Sequence, residues 1–146
     1  MGLTAATTKD IKKIYDWRNS FSELGNGQKV SFDTHIKWFN KVLADKNKKI
    51  FIIDECGAVR LDREGNQAEI SIYISEHMQG KGLGRQAISE ATEIAFELWD
   101  IEKVVARVKI DNNASANVFS MCGYGAEGHD NGEYILVARG NNADIR

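Results

Sequence analysis

The residues best placed by type and spacing to do chemistry form one short run, Gln79-Gly80-Lys81-Gly82-Leu83-Gly84, with Arg85 directly behind it. Alternating glycines flanked by two cations suit an anion, phosphate above all. Glycine has no side chain to hold a ligand off the backbone, and a turn that runs into a helix offers free N–H groups at the positive end of the helix dipole. Lys81 and Arg85 add charge nearby. The bland alternative is an ordinary strand-to-helix turn. A Walker phosphate loop is excluded, because no Gly-Lys-Ser/Thr follows the glycines at the required spacing. Gly82-x-Gly84-x-x-Ala87 does satisfy the loose dinucleotide fingerprint, with Asp111 as a ribose-binding acid. That reading ranks second, since too little chain follows the turn to complete a parallel sheet.

A second group of candidates precedes the turn. Residues 68–75 alternate apolar and polar, which sets Ile70, Ile72 and Ile74 on one side of a strand and Glu69, Ser71 and Tyr73 on the other. Glu69 is the first candidate for a general base, against the alternative of a solvated or salt-bridged strand glutamate. Further upstream, Asp16-Trp17-Arg18-Asn19 and His35-x-x-Trp38-Phe39 combine aromatic rings with hydrogen-bonding groups that could meet a substrate. The commoner outcome for aromatics at this spacing is an apolar helix face. A lone histidine such as His35 or His77 more often packs or caps than reacts.

Positioning these groups requires a particular set of elements. Residues 3–7 suit a first strand, and Thr8 can cap a helix with Ile11, Ile14, Tyr15 and Arg18 on one face, ending near Asn19. A glycine-containing loop over 20–29 follows. Ser31 or Asp33 then caps a second helix carrying Ile36, Trp38, Phe39, Val42 and Leu43. Residues 50–54 and 58–62 read as a hairpin and 68–75 as a strand. After the glycine turn a helix is predicted over 83–99, with an apolar stripe of Leu83, Ala87, Ala91, Ile94, Ala95 and Leu98. Residues 104–110 are a strand, a short helix starts at Asp111 or Asn112 and ends near Gly123, and residues 134–138 form a last strand after a polar loop.

The whole chain has 146 residues, no proline, a formal net charge of −2 and two cysteines. Without repeats or a linker, one domain over residues 1–146 is the economical organisation. Scattered charge leaves no footprint for a nucleic-acid backbone. Cys56 and Cys122 match no metal-ligand spacing, so no metal is expected and reduced core thiols are the simplest reading. No apolar run is long enough to span a bilayer, and Met1-Gly2-Leu3-Thr4 opens into capping residues rather than a signal sequence. Ala6 breaks the myristoylation pattern. The expectation is a cytoplasmic protein without membrane association.

Gln79-x-x-Gly82-x-Gly84, set between a strand and a helix, resembles the coenzyme signature of the GNAT superfamily of acyl-coenzyme A N-acyltransferases. Residues 111–124, in which Asn112 opens a helix and Phe119 precedes Gly123-Tyr124, resemble that family's later element. The resemblance implies an α+β sandwich whose mostly antiparallel sheet is flanked by helices and has two splayed, parallel central strands, here 68–75 and 104–110. It implies acetyl-coenzyme A as cosubstrate and transfer of acetyl to a primary amine. Carried residue by residue, the turn from Gln79 through Gly80, Lys81, Gly82, Leu83 and Gly84 to Arg85 would hold the pyrophosphate. Backbone at Ile72, Tyr73 and Ile74 would pair with the pantetheine arm, and Asn112, Ser115 and Phe119 would line the coenzyme. A backbone N–H near Tyr73 or Ile74 would meet the oxyanion, and Glu69 would be the base. Phe119 departs from the family, where a tyrosine often protonates the leaving thiolate; Tyr124 and Tyr134 are weaker substitutes.

The Trp17-Arg18-Asn19 and His35-x-x-Trp38-Phe39 segments further resemble acetyltransferases that modify the 4-amino group of nucleotide-linked amino sugars. That implies an acceptor site of Trp17, Arg18, Asn19, His35 and Trp38. The alternatives are a protein N-terminus or lysine as acceptor, and a coenzyme-binding sensor without turnover. A monomer or homodimer is expected.

Overall fold

The computed structural model describes residues 2–20, 30–75 and 78–140, with backbone alone for residues 18–20. Seven segments become strands, six of them where the sequence predicts strands and the last-but-one, β6, where it predicts a loop. They are β1 (Leu3–Ala5), β2 (Lys48–Ile53), β3 (Gly57–Glu64), β4 (Gln67–Ile74), β5 (Lys103–Lys109), β6 (Gly125–Asp130) and β7 (Glu133–Arg139). The helices are α1 (Ile11–Ser20), α2 (Phe32–Ala44), α3 (Leu83–Leu98) and α4 (Asn113–Met121).

One sheet takes all seven strands in the order β1-β2-β3-β4-β5-β7-β6. Neighbours pair antiparallel except β4 with β5, which run parallel because α3 makes the crossover between them. A sheet with a single parallel pair is not a doubly wound nucleotide fold, so the dinucleotide alternative and its ribose acid Asp111 fall away.

The β4–β5 ladder is short. Both strands continue to Ile74 and Lys109, but pairing runs only from Gln67–Lys103 to Ile70–Ala106. Beyond that point the strands part, as expected for the two central strands.

Each face of the sheet carries its own core. On one side Val59, Leu61, Ala68, Ile70, Val104 and Ala106 pack against Leu83, Ala87, Ile88, Ala91 and Ala95 of α3 and Phe119 of α4. On the other, Ile50, Ile52 and Ala58 pack against Ile14 of α1 and Phe39 and Val42 of α2. Removing each of the larger side chains among them, the valines, leucines, isoleucines and phenylalanines, from water contributes about 1.5–3 kcal/mol, so these two layers fix the helices on the sheet.

Several local expectations are corrected. The first strand stops at Ala5, because Thr7 caps a 3-10 turn at Thr8–Asp10 through a reciprocal box with Asp10, and Thr8 lies inside that turn. In α3 the buried stripe takes Ile88, whereas Leu98 is 50% exposed. The polar segment before the last strand is itself a strand, β6, exposed along its whole length and paired only to β7. Its Gly-Ala-Glu-Gly-His-Asp composition carries no strand signal; the hairpin turn at Asn131-Gly132 recruits it, with both residues at positive φ.

Candidate active site

The glycine turn sits where β4 ends and α3 begins. Gly80 and Gly82 adopt left-handed backbone, at φ 81° and 82°, with open space where a Cβ would stand. Any other residue would strain there, which is why the sequence has glycine. Gly82 is the N-cap of α3 and supplies no side-chain bond, so the N–H groups of Leu83, Gly84 and Arg85 have no partner among the described residues. Gly84 is different. A Cβ there would lie 3.5 Å from Ile74 Cδ1 and 3.9 Å from Val118 Cγ1, an ordinary contact, so its helix start is packed between the end of β4 and α4.

Gln79 closes the turn onto the strand, its Nε2 donating to the Ile74 carbonyl at 3.0 Å. The ladder register decides which backbone groups of β4 face the fork. Ser75 donates to Cys56 O, and the register that continues from it bonds Tyr73 to Ala58 and Ser71 to Arg60 on β3. Ile72 and Ile74 therefore turn their N–H groups the other way, toward β5, where the pairing has already ended at Ile70–Ala106. The expectation that Tyr73 offers its backbone is corrected: its N–H is spent in the β3 ladder. Its side chain lies on the opposite face from Ile72, 5.8 Å from the Trp17 ring.

At the start of α4, Asn112 accepts from the Ser115 N–H at 3.2 Å, so its side chain serves as the helix cap. Ser115 is half-buried beside it. Phe119, expected to line the coenzyme, is instead 3% exposed and packs edge-on to Tyr124 at 5.1 Å. Tyr124 is poorly placed to protonate a thiolate: its ring is buried, its oxygen lies 2.6 Å from Thr92 Oγ1, and burial raises its phenol above the usual range.

Glu69 projects from the face of β4 that carries Ser71 and Tyr73. Its carboxylate is half-exposed, lies 4.0 Å from Arg107 Nε, and has no hydrogen bond among the described residues. Burial raises its pKa above the ordinary glutamate value, while the Arg107 charge pulls the other way. Neighbouring cations are otherwise engaged: Arg60 and Lys48 both hold Asp62, at 2.9 and 3.2 Å. This charged row across β3, β4 and β5 was not foreseen. The period-2 placement of Arg60, Asp62, Glu69 and Arg107 was the signal available for it.

The expected acceptor residues divide. Trp17 stands over Tyr73, and Trp38 stands 5.9 Å from the Arg60 guanidinium. His35 is corrected: it is 0% exposed, its Nε2 lies 3.0 Å from Ile11 O, and Tyr15, Trp38 and Phe39 surround it. It is a core histidine joining α1 to α2. The side chains of Arg18 and Asn19, and His77, lie outside the described residues. An open cavity of about 430 Å³ lies at the far end of β5, lined by Lys109, Ile110, Asp111, Asn131, Gly132 and Glu133.

The fork, the uncapped helix start and the glycine turn together suit a long ligand with a pyrophosphate and an amide-bearing arm. The sequence profile of the Acetyltransferase (GNAT) domain matches residues 1–125. The chain belongs to the GNAT acetyltransferase family. As a GNAT enzyme it is an acetyl-CoA-dependent N-acetyltransferase acting on an amine, and the seven-stranded sheet with four helices is the GNAT fold. Among curated GNAT relatives, the spermidine N(1)-acetyltransferase of Vibrio cholerae is 27% identical over 148 residues, covering 94% of this chain and 86% of the relative. Acetyltransferase PseH of Campylobacter jejuni is 25% identical over 119 residues, 77% of this chain and 74% of the relative. The crystal structure of the Vibrio cholerae spermidine N-acetyltransferase in complex with CoA and spermine superposes with a TM-score of 0.79 at 22% identity, covering 92% and 91% of the two chains, a likeness of fold. No described helix is long and apolar enough to cross a membrane.

Proposed function

We propose that this enzyme acetylates a primary amine of a small aliphatic polyamine of the spermidine class. The observation that carries the reading is the match to the Vibrio cholerae spermidine acetyltransferase along 94% of the chain. Two local features support it. Glu69 is a half-buried carboxylate on the acceptor side with no hydrogen bond among the described residues, and the cavity at the end of β5 offers Asp111 and Glu133, beside Lys109, to a second ammonium group.

In this reading the pyrophosphate rests on the N–H groups of Leu83, Gly84 and Arg85, with Lys81 and Arg85 as counter-charges and Gly80 and Gly82 giving it access. The pantetheine arm lies along β4 as a partial strand, bonded by Ile72 and Ile74, beside Ser115 and the start of α4 at Asn112. Glu69 accepts a proton from the acceptor ammonium. The neutral nitrogen then attacks the thioester carbon, the C–S bond breaks with its electron pair leaving on sulfur, and the nitrogen, left with one proton too many, releases it to solvent as the amide forms. An Ile72 or Ile74 N–H stabilises the carbonyl oxygen as it gains charge, an interaction of the kind worth about a hundredfold to a thousandfold in rate. The thiolate takes its proton from solvent, since Phe119 has none to give and Tyr124 is held by Thr92. A thiol pKa of about 8.5 makes that departure feasible.

A second reading keeps the same chemistry with a nucleotide-linked amino sugar as acceptor. It is favoured by the Trp17–Tyr73 and Trp38–Arg60 pairs, which offer rings and a guanidinium to a base or phosphate, and by the likeness to PseH. Thiol release from acetyl-CoA, measured against spermidine, spermine, a UDP-linked amino sugar, an aminoglycoside and short peptides, tests both, with Gly82→Trp as the coenzyme-blind control. Turnover restricted to the amino sugar or to peptides would sink the polyamine reading.

A further inference from the structure

The fork between β4 and β5 has an ion pair at its apex. Glu69 stands opposite Val105 within the paired segment, and Arg107 is the first residue of β5 beyond the last pair, Ile70–Ala106. Both side chains project from the same face, and the Arg107 Nε to Glu69 Oε1 distance is 4.0 Å. At that separation the guanidinium attracts the carboxylate without occupying its oxygens by a hydrogen bond, which favours the charged form and leaves both oxygens able to take a proton from another group. Among the described residues Glu69 is the ion-pair partner of Arg107, while Asp62 is shared by Arg60 and Lys48.

We propose that Arg107 is a positioning residue for acetyl transfer, reaching across the apex of the fork to hold Glu69 ionised and aimed at the acceptor side. The proposal rests on the reading of Glu69 as the base. The groups around Glu69 make Arg107 the one to test. From β3, Asp62 opposes ionisation and Arg60 favours it; from β7, Glu133 opposes it; burial on β4 opposes it most; and Arg107 on β5 is the strongest influence in favour. Removing Arg107 leaves two carboxylates and burial against one guanidinium, Arg60, that is already paired with Asp62. The Glu69 proton then leaves at higher pH.

The experiment combines carbon-13 NMR titration of the Glu69 side-chain carboxyl in the free protein, assigned by its loss in Glu69→Gln, with the pH profile of kcat/KM on whichever amine turns over. In Arg107→Gln the titration midpoint rises by about one pH unit and the acidic limb of the rate profile moves with it. Arg107→Lys restores most of both, and KM for acetyl-CoA stays within about twofold, since the pair lies on the acceptor face. The acceptor's own titration is common to both proteins and cancels in the ratio of their profiles. An unmoved midpoint in Arg107→Gln, or a rate loss uniform in pH that Arg107→Lys does not repair, overturns the proposal. A midpoint that moves while the rate profile stays, with Glu69→Gln fully active, overturns the base reading and the inference with it, a failure recognisable as separate from the first.

Discussion

Gln79 Nε2 and the Ile74 carbonyl are 3.0 Å apart, so the glycine turn is tied to the last residue of the strand that leads into it. Ile74 also directs its N–H into the fork. One hydrogen bond thus fixes the relative position of the glycine turn, proposed to cradle the pyrophosphate, and the open edge of β4, proposed to take the pantetheine arm. Gln79→Ala should weaken acetyl-CoA binding by about fivefold, the equivalent of about 1 kcal/mol for a hydrogen bond at an exposed site. Calorimetric titration of the coenzyme would show it, with little change in thermal stability.

Gly82 makes a different demand. Its left-handed φ of 82°, with nothing near a would-be Cβ, means that substitution costs backbone strain rather than crowding. Gly82→Val should destabilise the fold by about 1–2 kcal/mol and Gly82→Asn by less, because asparagine tolerates this conformation. Thermal melts of the two variants should rank in that order. A larger loss for asparagine would place the cost in packing.

Glu69 ties stability to pH in a defined direction. Its pKa is raised in the folded state, burial being the largest cause, so its contribution to stability is present below the unfolded glutamate pKa and lost as pH rises through the folded one. Glu69→Gln should therefore melt at the same temperature or higher at neutral pH, with the difference disappearing in acid. Its kcat/KM should fall by about a hundredfold or more if the carboxylate is the base. Melting curves from pH 3 to 8 beside steady-state rates would read both.

His35 and Trp17 should separate cleanly in mutagenesis. His35 is fully enclosed between α1 and α2, so His35→Ala should cost about 2–3 kcal/mol of stability and leave the acceptor KM unchanged. Trp17→Ala, half-buried beside Tyr73 and packed against the α1–α2 core, should raise the acceptor KM in addition to costing stability. Denaturant melts and KM values on the same two proteins decide it.

Phe119 leads to a prediction about the alkaline side. With Phe119 buried and the Tyr124 phenol held by Thr92, kcat should show no descending limb between about pH 7 and 10 from loss of a protein acid. A descending limb that Tyr134→Phe removes would make Tyr134 the acid.

How much of this was legible beforehand follows from what each signal measures. Periodicity reports burial, so β4 and α3 were readable, and glycine spacing reports backbone conformation, so the turn was readable at Gly80 and Gly82. Hydrogen-bond parity along β4 is set by its register with β3, which no local pattern contains; hence Tyr73 was grouped with Ile72 and Ile74 although its backbone faces Ala58. His35 shows the same limit in side chains: its neighbours in sequence did not reveal that α1 would close over it. Arg107 went unremarked because an exposed arginine on a strand has meaning only once the strand beside it, and the point where the two part, are known.

Among the described residues, the ladder from Gln67–Lys103 to Ile70–Ala106 is also the only strand pairing that joins β1–β4 to β7 and β6 through β5. Mechanically the protein is two half-sheets welded over four residue pairs, with α3 lying across the seam. A pantetheine arm bonded to Ile72 and Ile74 would lengthen that weld. Acetyl-CoA would then act as a missing strand segment as well as an acyl donor, and its arrival should slow amide hydrogen exchange at Ile72 and Ile74 and stiffen one half of the molecule against the other.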